Sequence, residues 1–158
     1  MPRITATAKI NASKEQVWEV LADLGAIYKW NPGVSKSYLT SGLAQGDGAE
    51  RHCDLGTKGD FLKERALDWR EGEGFKIEVY DTNLPLKRNV VTFSLQSDGE
   101  GTVVSVSPDY ELKFGPIGVV MDLLFARRQL QRGMEDLVAG LKYHVETGEL
   151  VGDSLPDA

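Results

Sequence analysis

The chain has 158 residues, enough for one domain with an ordinary core, and no stretch has the composition of a linker. Its 18 Lys and Arg against 24 Asp and Glu give a net charge of -6 without a basic stripe, so we expect no nucleic-acid partner. A single cysteine excludes an internal disulfide, the N-terminus lacks a secretory signal, and no apolar run approaches the roughly 20 residues that cross a bilayer. These features predict a cytoplasmic protein without a transmembrane segment.

The first 33 residues predict a strand followed by two short helices. Residues 3–10 alternate between polar and apolar side chains, which is typical of a half-buried strand. Ser13 and Gln16 have the spacing of a capping box and mark the start of the first helix. A second short helix is predicted over residues 23–28, and Asn31-Pro32-Gly33 ends it because proline disfavours helix in the residue before it.

Turn-forming residues divide the middle of the chain into six further strands. Glycine adopts positive φ freely, and Asp and Asn tolerate it, so these residues can reverse the chain between antiparallel strands. The predicted strands lie near residues 34–42, 48–55, 60–70, 73–82, 87–96 and 102–113.

One long helix is predicted at the end of the chain. It opens at Gly115-Pro116-Ile117-Gly118 and continues to about Glu146. Its apolar stripe consists of Leu123, Leu130, Met134, Leu137, Leu141 and Val145. A sheet closed by one such helix wraps around it and leaves a pocket between the two. Residues 1–147 are therefore expected to form a single domain, and the acidic tail 148–158 is expected to be flexible.

Alternation of side chains along each strand predicts which of them face the pocket. On the fifth, sixth and seventh strands the inner face includes Ile77, Phe93 and Tyr110. On the third strand it includes Arg51 and Cys53. Tyr110 is then an inward hydroxyl, and Cys53 is expected to be a small apolar group rather than a reactive thiol.

The fourth strand is ambiguous by itself, and the turns beside it decide its orientation. A two-residue turn at Glu71-Gly72 places Glu64 on the inner face, and a four-residue turn after the third strand sets Glu64 opposite Arg51. If the turn at Glu71-Gly72 is one residue longer, Trp69 and Arg65 point inward and Glu64 does not.

An inward pair of Arg51 and Glu64 allows two interpretations. The two side chains neutralise each other, and leaving either unpaired in a low-dielectric cavity costs several kcal/mol. One interpretation is an internal salt bridge that organises the cavity wall. The other is a polar anchor for a ligand's carboxylate, carbonyl or hydroxyl group.

Three stretches of the sequence carry a family pattern. They are residues 10–23 leading to Trp30-Asn31-Pro32, Gly48-Ala49-Glu50-Arg51 followed by Glu64-Arg65, and Phe114-Gly115-Pro116-Ile117-Gly118. In them the chain resembles the START-like or SRPBCC superfamily, in particular its polyketide cyclase/dehydrase and lipid-transport branch. The resemblance implies an α+β helix-grip fold (START/Bet v 1-like), in which a seven-stranded antiparallel sheet wraps around a long C-terminal helix and two short helices follow strand 1.

The resemblance also implies where a ligand binds. Members of this superfamily bind lipids, sterols, polyketides or plant hormones between sheet and helix, and some catalyse cyclisation or dehydration. Glu64 and Arg51 match positions that often face that cavity. The first half of the long helix usually lines it, which nominates Met121, Phe125 and Gln129, although Met121 and Phe125 also fit a plain core role.

Three features are expected around the mouth of the pocket, and one glycine near its wall. Tyr28, Trp30 and the turn Gly56-Thr57-Lys58-Gly59 could gate access, since a loop with two glycines can move. Gly133 has a reason to be small if the helix around it lines the pocket.

The chain offers little for metal or nucleophilic chemistry. His52, His144 and Cys53 are too few and too scattered for a metal site, and adjacent strand residues 52 and 53 point to opposite faces. No serine lies in a nucleophile elbow. We therefore expect no metal and no cofactor.

Three functions remain after these exclusions. The favoured one is binding of a small hydrophobic or amphipathic ligand for carriage or sequestration, by a monomer or weak homodimer. The second is a polyketide cyclase or dehydratase in which Glu64 moves a proton while Arg51 and Tyr110 hold a carbonyl or enolate. The pairing of Glu64 with Arg51 works against this role, because a nearby cation makes a carboxylate a weaker base. The third is a stress-response or co-chaperone-type interaction module.

Overall fold

Seven strands follow one another in the chain and form a single antiparallel sheet. The computed structural model describes residues 4–152. Its strands are β1 (Ala6–Ile10), β2 (Lys36–Leu39), β3 (Glu50–Leu55), β4 (Asp60–Arg70), β5 (Gly74–Thr82), β6 (Leu86–Asp98) and β7 (Gly101–Leu112). They are arranged in the order β1-β7-β6-β5-β4-β3-β2. All seven predicted strands are confirmed, with shifts of a few residues at their ends.

The helices occupy the predicted positions. Helix α1 (Lys14–Leu21) and a 3₁₀ helix (Leu24–Lys29) connect β1 to β2. The C-terminal helix consists of α2 (Gly115–Met121), a π-helical segment (Asp122–Ala126) and α3 (Arg127–Thr147). The capping box of α1 is confirmed: the Gln16 amide donates to Ser13 Oγ, and the Ser13 amide donates to Gln16 Oε1.

The second half of the C-terminal helix packs into the core. Helix α3 lies against β1 and β7, and Leu137, Val138 and Leu141 are buried. Gly140 permits a close approach to the end of the 3₁₀ helix, because a Cβ atom there would lie 2.0 Å from the carbonyl oxygen of Trp30. Helix α3 and the end of the 3₁₀ helix therefore pack closely at Gly140.

The first half of the C-terminal helix is exposed instead. Leu123, the first member of the predicted apolar stripe, is 61% exposed, and Phe125 is 68% exposed. Leu130 and Met134 are half-buried, so burial increases along the helix toward Leu137. The prediction that the whole stripe seals the sheet is therefore wrong for its N-terminal end, where Leu123 is exposed.

The hairpin between β4 and β5 contains two irregularities that compensate each other. Arg70 pairs with Gly74, so the turn is one residue longer than predicted. A β-bulge at Asp68, which adopts a positive φ of 49°, then restores the register before Glu64 is reached. As a result Glu64 points inward, and so does Trp69, which stacks on Phe75.

The tail is packed where it is described. Val151 is buried, and its amide donates to the carbonyl oxygen of Lys29 at 2.9 Å. Tyr143 Oη donates to Glu149 Oε2 at 2.6 Å. The flexibility of the tail stays a prediction for residues 148–152, and residues 153–158 lie outside the described part of the chain.

Candidate ligand-binding site

A buried ion pair stands on the inner face of the sheet. Arg51 Nε donates to Glu64 Oε1 at 2.9 Å, and Arg51 Nη1 donates to the carbonyl oxygen of Leu24 at 3.1 Å. Cys53 Sγ donates to the same Glu64 oxygen at 3.3 Å. The two charged residues are 4% and 6% exposed. The register of β3 and β4 sets Arg51 opposite Glu64, as the turn length predicts.

Burial and the neighbouring charges determine the ionisation states of Arg51 and Cys53. It lowers the pKa of the Arg51 guanidinium, but the attraction of Glu64 outweighs that effect and holds the pKa above its ordinary value. Burial, reinforced by the Glu64 charge, strongly raises the pKa of the Cys53 thiol. Arg51 is therefore a fixed cation, and Cys53 is a neutral thiol.

Asn89 is a second buried polar group on the same face. It is 7% exposed and shares strand parity with Val91 and Phe93, which are both in the core. Its register partner on β7 is Tyr110. Its Oδ1 atom is buried and has no hydrogen-bond partner among residues 4–152. A buried acceptor without a donor is uncommon in a native structure and calls for an explanation.

Strand register places these polar groups side by side. Glu64 on β4 pairs with Val79 on β5, and the Glu78–Val90 pair sets Val79 next to Asn89. Five adjacent strands thus contribute one inward residue each at the same level, in the order Arg51, Glu64, Val79, Asn89 and Tyr110. We call the four polar members of this set the polar row. It runs across the sheet with one apolar position in its middle.

A hydrogen-bonded group ties the end of the polar row to the C-terminal helix. Tyr110 Oη donates to Asp122 Oδ1, and Arg127 Nη2 donates to Asp122 Oδ2 at 2.9 Å. Burial, followed by the hydrogen bond to Asp122, raises the pKa of Tyr110. The hydroxyl of Tyr110 and the carboxylate of Asp122 raise the pKa of Arg127. The Tyr110 hydroxyl therefore points inward as predicted, but it already donates its hydrogen bond to Asp122.

The helix residues nominated for the pocket do not contact the ion pair. Met121 is 40% exposed, and Phe125 and Gln129 are exposed as well. A Cβ atom at Gly133 would have open space around it, so packing gives no reason for a glycine there. The expectation that Gly133 is small because it lines the pocket stays a prediction. The roles of Met121, Phe125 and Gln129 as ligand contacts stay predictions.

The residues expected at the mouth differ in their surroundings. Trp30 is 2% exposed and lies in the core beside Gly140, and its role at the mouth stays a prediction. Tyr28 is 41% exposed, and the turn at residues 56–59 is exposed, so both are accessible. Ile77 and Phe93 lie in the core on the inner face of the sheet. Their contacts with a ligand remain predictions.

Two polar residues of this region were missed in the sequence. Extending the inner parity of β6 two residues back from Val91 reaches Asn89, so strand alternation could have found it. Asp122 could not be found this way, because its contact with Tyr110 depends on where the C-terminal helix lies. His52, predicted on the outer face, bonds there to Asp54 Oδ1 at 2.8 Å.

Metal ligands and membrane spans are not evident in the described residues. Residues 4–152 contain no group of three His, Cys, Asp or Glu side chains placed to hold a metal ion. Within the same residues, every helix is too short or too polar to span a bilayer.

Fold and site together define a helix-grip protein with a polar row on the inner face of its sheet. Residues 1–146 match the family model described as polyketide cyclase / dehydrase and lipid transport. The chain belongs to this family, which confirms the predicted polyketide cyclase/dehydrase and lipid-transport branch. No curated protein matches it in sequence.

Solved structures share the fold at low sequence identity. TTHA0849 from Thermus thermophilus is 21% identical, with a TM-score of 0.78, over 93% of this chain and 99% of that one. A START superfamily protein from Mycobacterium smegmatis is 19% identical, with a TM-score of 0.72, over 91% and 97% of the two chains. DynU16, from the dynemicin biosynthetic locus, is 20% identical, with a TM-score of 0.68, over 94% of this chain and 48% of that one.

Proposed function

We propose that the protein binds a small hydrophobic or amphipathic molecule between the inner face of the sheet and the C-terminal helix, and carries or sequesters it. The family description, which includes lipid transport, supports this function. The observation that carries the proposal is the arrangement of the C-terminal helix. Its second half seals the core, while its first half leaves the apolar side chains of Met121, Leu124 and Phe125 exposed, and the inner face of the sheet bears buried polar groups.

Apolar side chains that are exposed and lie next to one another favour a binding role. A monomeric protein rarely exposes a large contiguous apolar patch unless the patch is used for binding. A ligand lying between this part of the helix and the sheet would cover apolar surface on both. Removing apolar surface from water stabilises a complex by roughly 25 cal/mol per Å².

Native mass spectrometry of the protein purified from its source tests the proposal. We expect an excess mass that disappears on denaturation, and organic extraction should release the same compound. Displacement of the fluorescent probe 1-anilinonaphthalene-8-sulfonate by that compound would show that both occupy one site. Finding only the bare polypeptide mass, together with no saturable binding of the probe, would contradict the proposal.

A cyclase or dehydratase is the second candidate, because the family description names both activities and DynU16 comes from a biosynthetic locus. Glu64 would move the proton, with Arg51 and Tyr110 holding a carbonyl or enolate. The contacts weigh against this role, since Arg51 and Cys53 both donate to Glu64 and Asp122 accepts from Tyr110. Turnover of the extracted compound by the wild type, lost in Glu64→Gln while binding persists, would favour the enzyme.

Location and assembly rest on the sequence alone. A cytoplasmic location and a monomer or weak homodimer, with residues 1–147 as one domain, stay predictions. Sedimentation velocity over a range of concentrations tests the state of association. The third possibility, a surface-acting interaction module, would gain support if no ligand were found.

A further inference from the structure

We propose that the ligand is a neutral, hydroxylated apolar molecule and that Asn89 binds its hydroxyl group. This inference rests on the proposed binding function and specifies the chemistry of the same site. Asn89 is 7% exposed, lies on the inner face and leaves Oδ1 without a partner among the described residues. Leaving such a buried acceptor unsatisfied destabilises the unliganded protein. A ligand that supplies a hydrogen bond removes this cost only when it is bound.

A hydroxyl group suits a carboxamide better than other polar groups do. The Asn side chain has one acceptor oxygen and one donor nitrogen, and a hydroxyl can both donate and accept. It therefore fits the amide whichever way the side chain is turned. A carboxylate, which only accepts, could not satisfy Oδ1.

Charge at the site favours a neutral ligand. Arg51 is paired with Glu64, and Arg127 is paired with Asp122. Each cation of the inner region thus has its own carboxylate, and a ligand carboxylate would have to displace one of them. Displacing a buried partner leaves an uncompensated charge, which is strongly unfavourable. A fatty-acid carboxylate is therefore a poor fit, whereas an alcohol or phenol adds no charge.

The surroundings of Asn89 define the rest of the ligand. Val79 separates Asn89 from Glu64, so the two polar positions lie two strands apart, about 10 Å at the usual strand spacing. On its other side Asn89 faces Tyr110, whose hydroxyl is engaged by Asp122. Among the described residues Asn89 Oδ1 is the only unpartnered buried side-chain acceptor, whereas Trp30 Nε1 and Arg127 Nε are unpartnered buried donors. An apolar ring system bearing one hydroxyl matches this pattern.

Three probes with one ring system test the inference. These are 2-naphthol, 2-methylnaphthalene and 2-naphthoate, which differ only in carrying a hydroxyl, a methyl or a carboxylate group. Their dissociation constants at pH 7 follow from displacement of the neutral fluorescent probe N-phenyl-1-naphthylamine. We expect 2-naphthol to bind about fivefold more tightly than 2-methylnaphthalene, as one net hydrogen bond of about 1 kcal/mol implies, and 2-naphthoate to bind most weakly.

Variants then assign the preference to one side chain. Asn89→Leu should abolish the difference between 2-naphthol and 2-methylnaphthalene. Thr92→Leu makes the matching change on the exposed face of the same strand, and this variant should still bind 2-naphthol more tightly than 2-methylnaphthalene. If Asn89→Leu does not fold, the wild-type ratio of the two affinities decides the question.

Each contrary result overturns a different statement. Equal affinities for 2-naphthol and 2-methylnaphthalene in the wild type would mean that water alone satisfies Asn89, and would overturn this inference while leaving the proposed binding function intact. Tightest binding of 2-naphthoate would overturn the requirement for a neutral ligand. If none of the three compounds displaces the fluorescent probe, the inference falls, whereas the proposed binding function falls only if the fluorescent probe itself does not bind and no co-purified compound is found.

Discussion

Arg51 and Glu64 depend on each other because both are buried. Their side chains are 5% and 8% exposed, so removing one charge leaves the other in a medium that solvates it poorly. We expect Glu64→Gln to lower the free energy of unfolding by about 3–5 kcal/mol, measured by urea denaturation.

The exposed pair of Arg88 and Asp109 provides the matched control. These side chains are 55% and 68% exposed and lie on adjacent strands. Asp109→Asn should cost less than about 1 kcal/mol, because solvent screens the pair. Similar losses in Glu64→Gln and Asp109→Asn would show that the inner pair is not shielded from water.

Cys53 makes stability depend on pH in the alkaline range. Burial raises the pKa of its thiol far above the ordinary value of about 8.5. Below pH 8.5 the thiol is protonated in both the folded and the unfolded chain, so its full contribution to the free energy of unfolding is present. Above it only the unfolded chain loses the proton, so stability should fall by about 1.4 kcal/mol per pH unit.

Urea unfolding in reductant at pH 7.5, 8.5 and 9.5 measures this effect. The difference in the free energy of unfolding between the wild type and Cys53→Ala should become smaller above pH 8.5, because the variant has no thiol to ionise at this position. The raised pKa of Tyr110 acts only at still higher pH. A difference that stays constant from pH 7.5 to 9.5 would mean that the folded thiol ionises normally.

At the scale of the elements, two glycines of α3 should respond oppositely to the same change. A Cβ atom at Gly140 would collide with the Trp30 carbonyl oxygen, whereas one at Gly133 would meet nothing within 4 Å. We expect Gly140→Ala to cost at least about 2 kcal/mol through overpacking. Gly133→Ala should stabilise by up to about 1 kcal/mol, because alanine favours helix. Thermal denaturation compares them, and shifts of the same sign would contradict the contact at Gly140.

The strands were predictable because each of them ends at turn-forming residues that can be recognised in the local sequence. Turn residues separate them, and their parity follows from buried apolar side chains. The orientation of Glu64 was predicted from a two-residue turn, whereas the turn has one residue more and the bulge at Asp68 compensates. The prediction of Glu64 was thus right although its stated reason was incomplete. The sequence contains no pattern strong enough to predict a β-bulge with a positive φ at an aspartate.

The candidate site was predictable only in its strand-borne part. Arg51, Cys53 and Glu64 followed from parity, and Asn89 could have followed in the same way. Met121, Phe125 and Trp30 could not be placed, because their surroundings depend on the angle between a helix and the sheet. Contacts that position the helix, such as the one between Gly140 and Trp30, join residues that lie far apart in the sequence.

At the scale of the whole molecule, stability should be divided unequally along the C-terminal helix. Phe125 is 68% exposed and Leu141 is fully buried. We expect Phe125→Ser to change the free energy of unfolding by less than about 0.5 kcal/mol, as exposed substitutions do. Leu141→Ala should cost about 2–5 kcal/mol. Urea denaturation measures both, and a large loss in Phe125→Ser would mean that this side chain is packed.

The exposed first half of the C-terminal helix also makes the protein vulnerable at one place. Chymotrypsin cuts after large apolar residues, and Phe114, Leu123, Leu124 and Phe125 offer such bonds outside the core. Digestion should first nick the backbone between residues 114 and 125. Because Leu137 and Leu141 anchor the distal piece, both fragments should elute together from a sizing column and separate only on a denaturing gel. A bound ligand that covers this stretch should slow the cut.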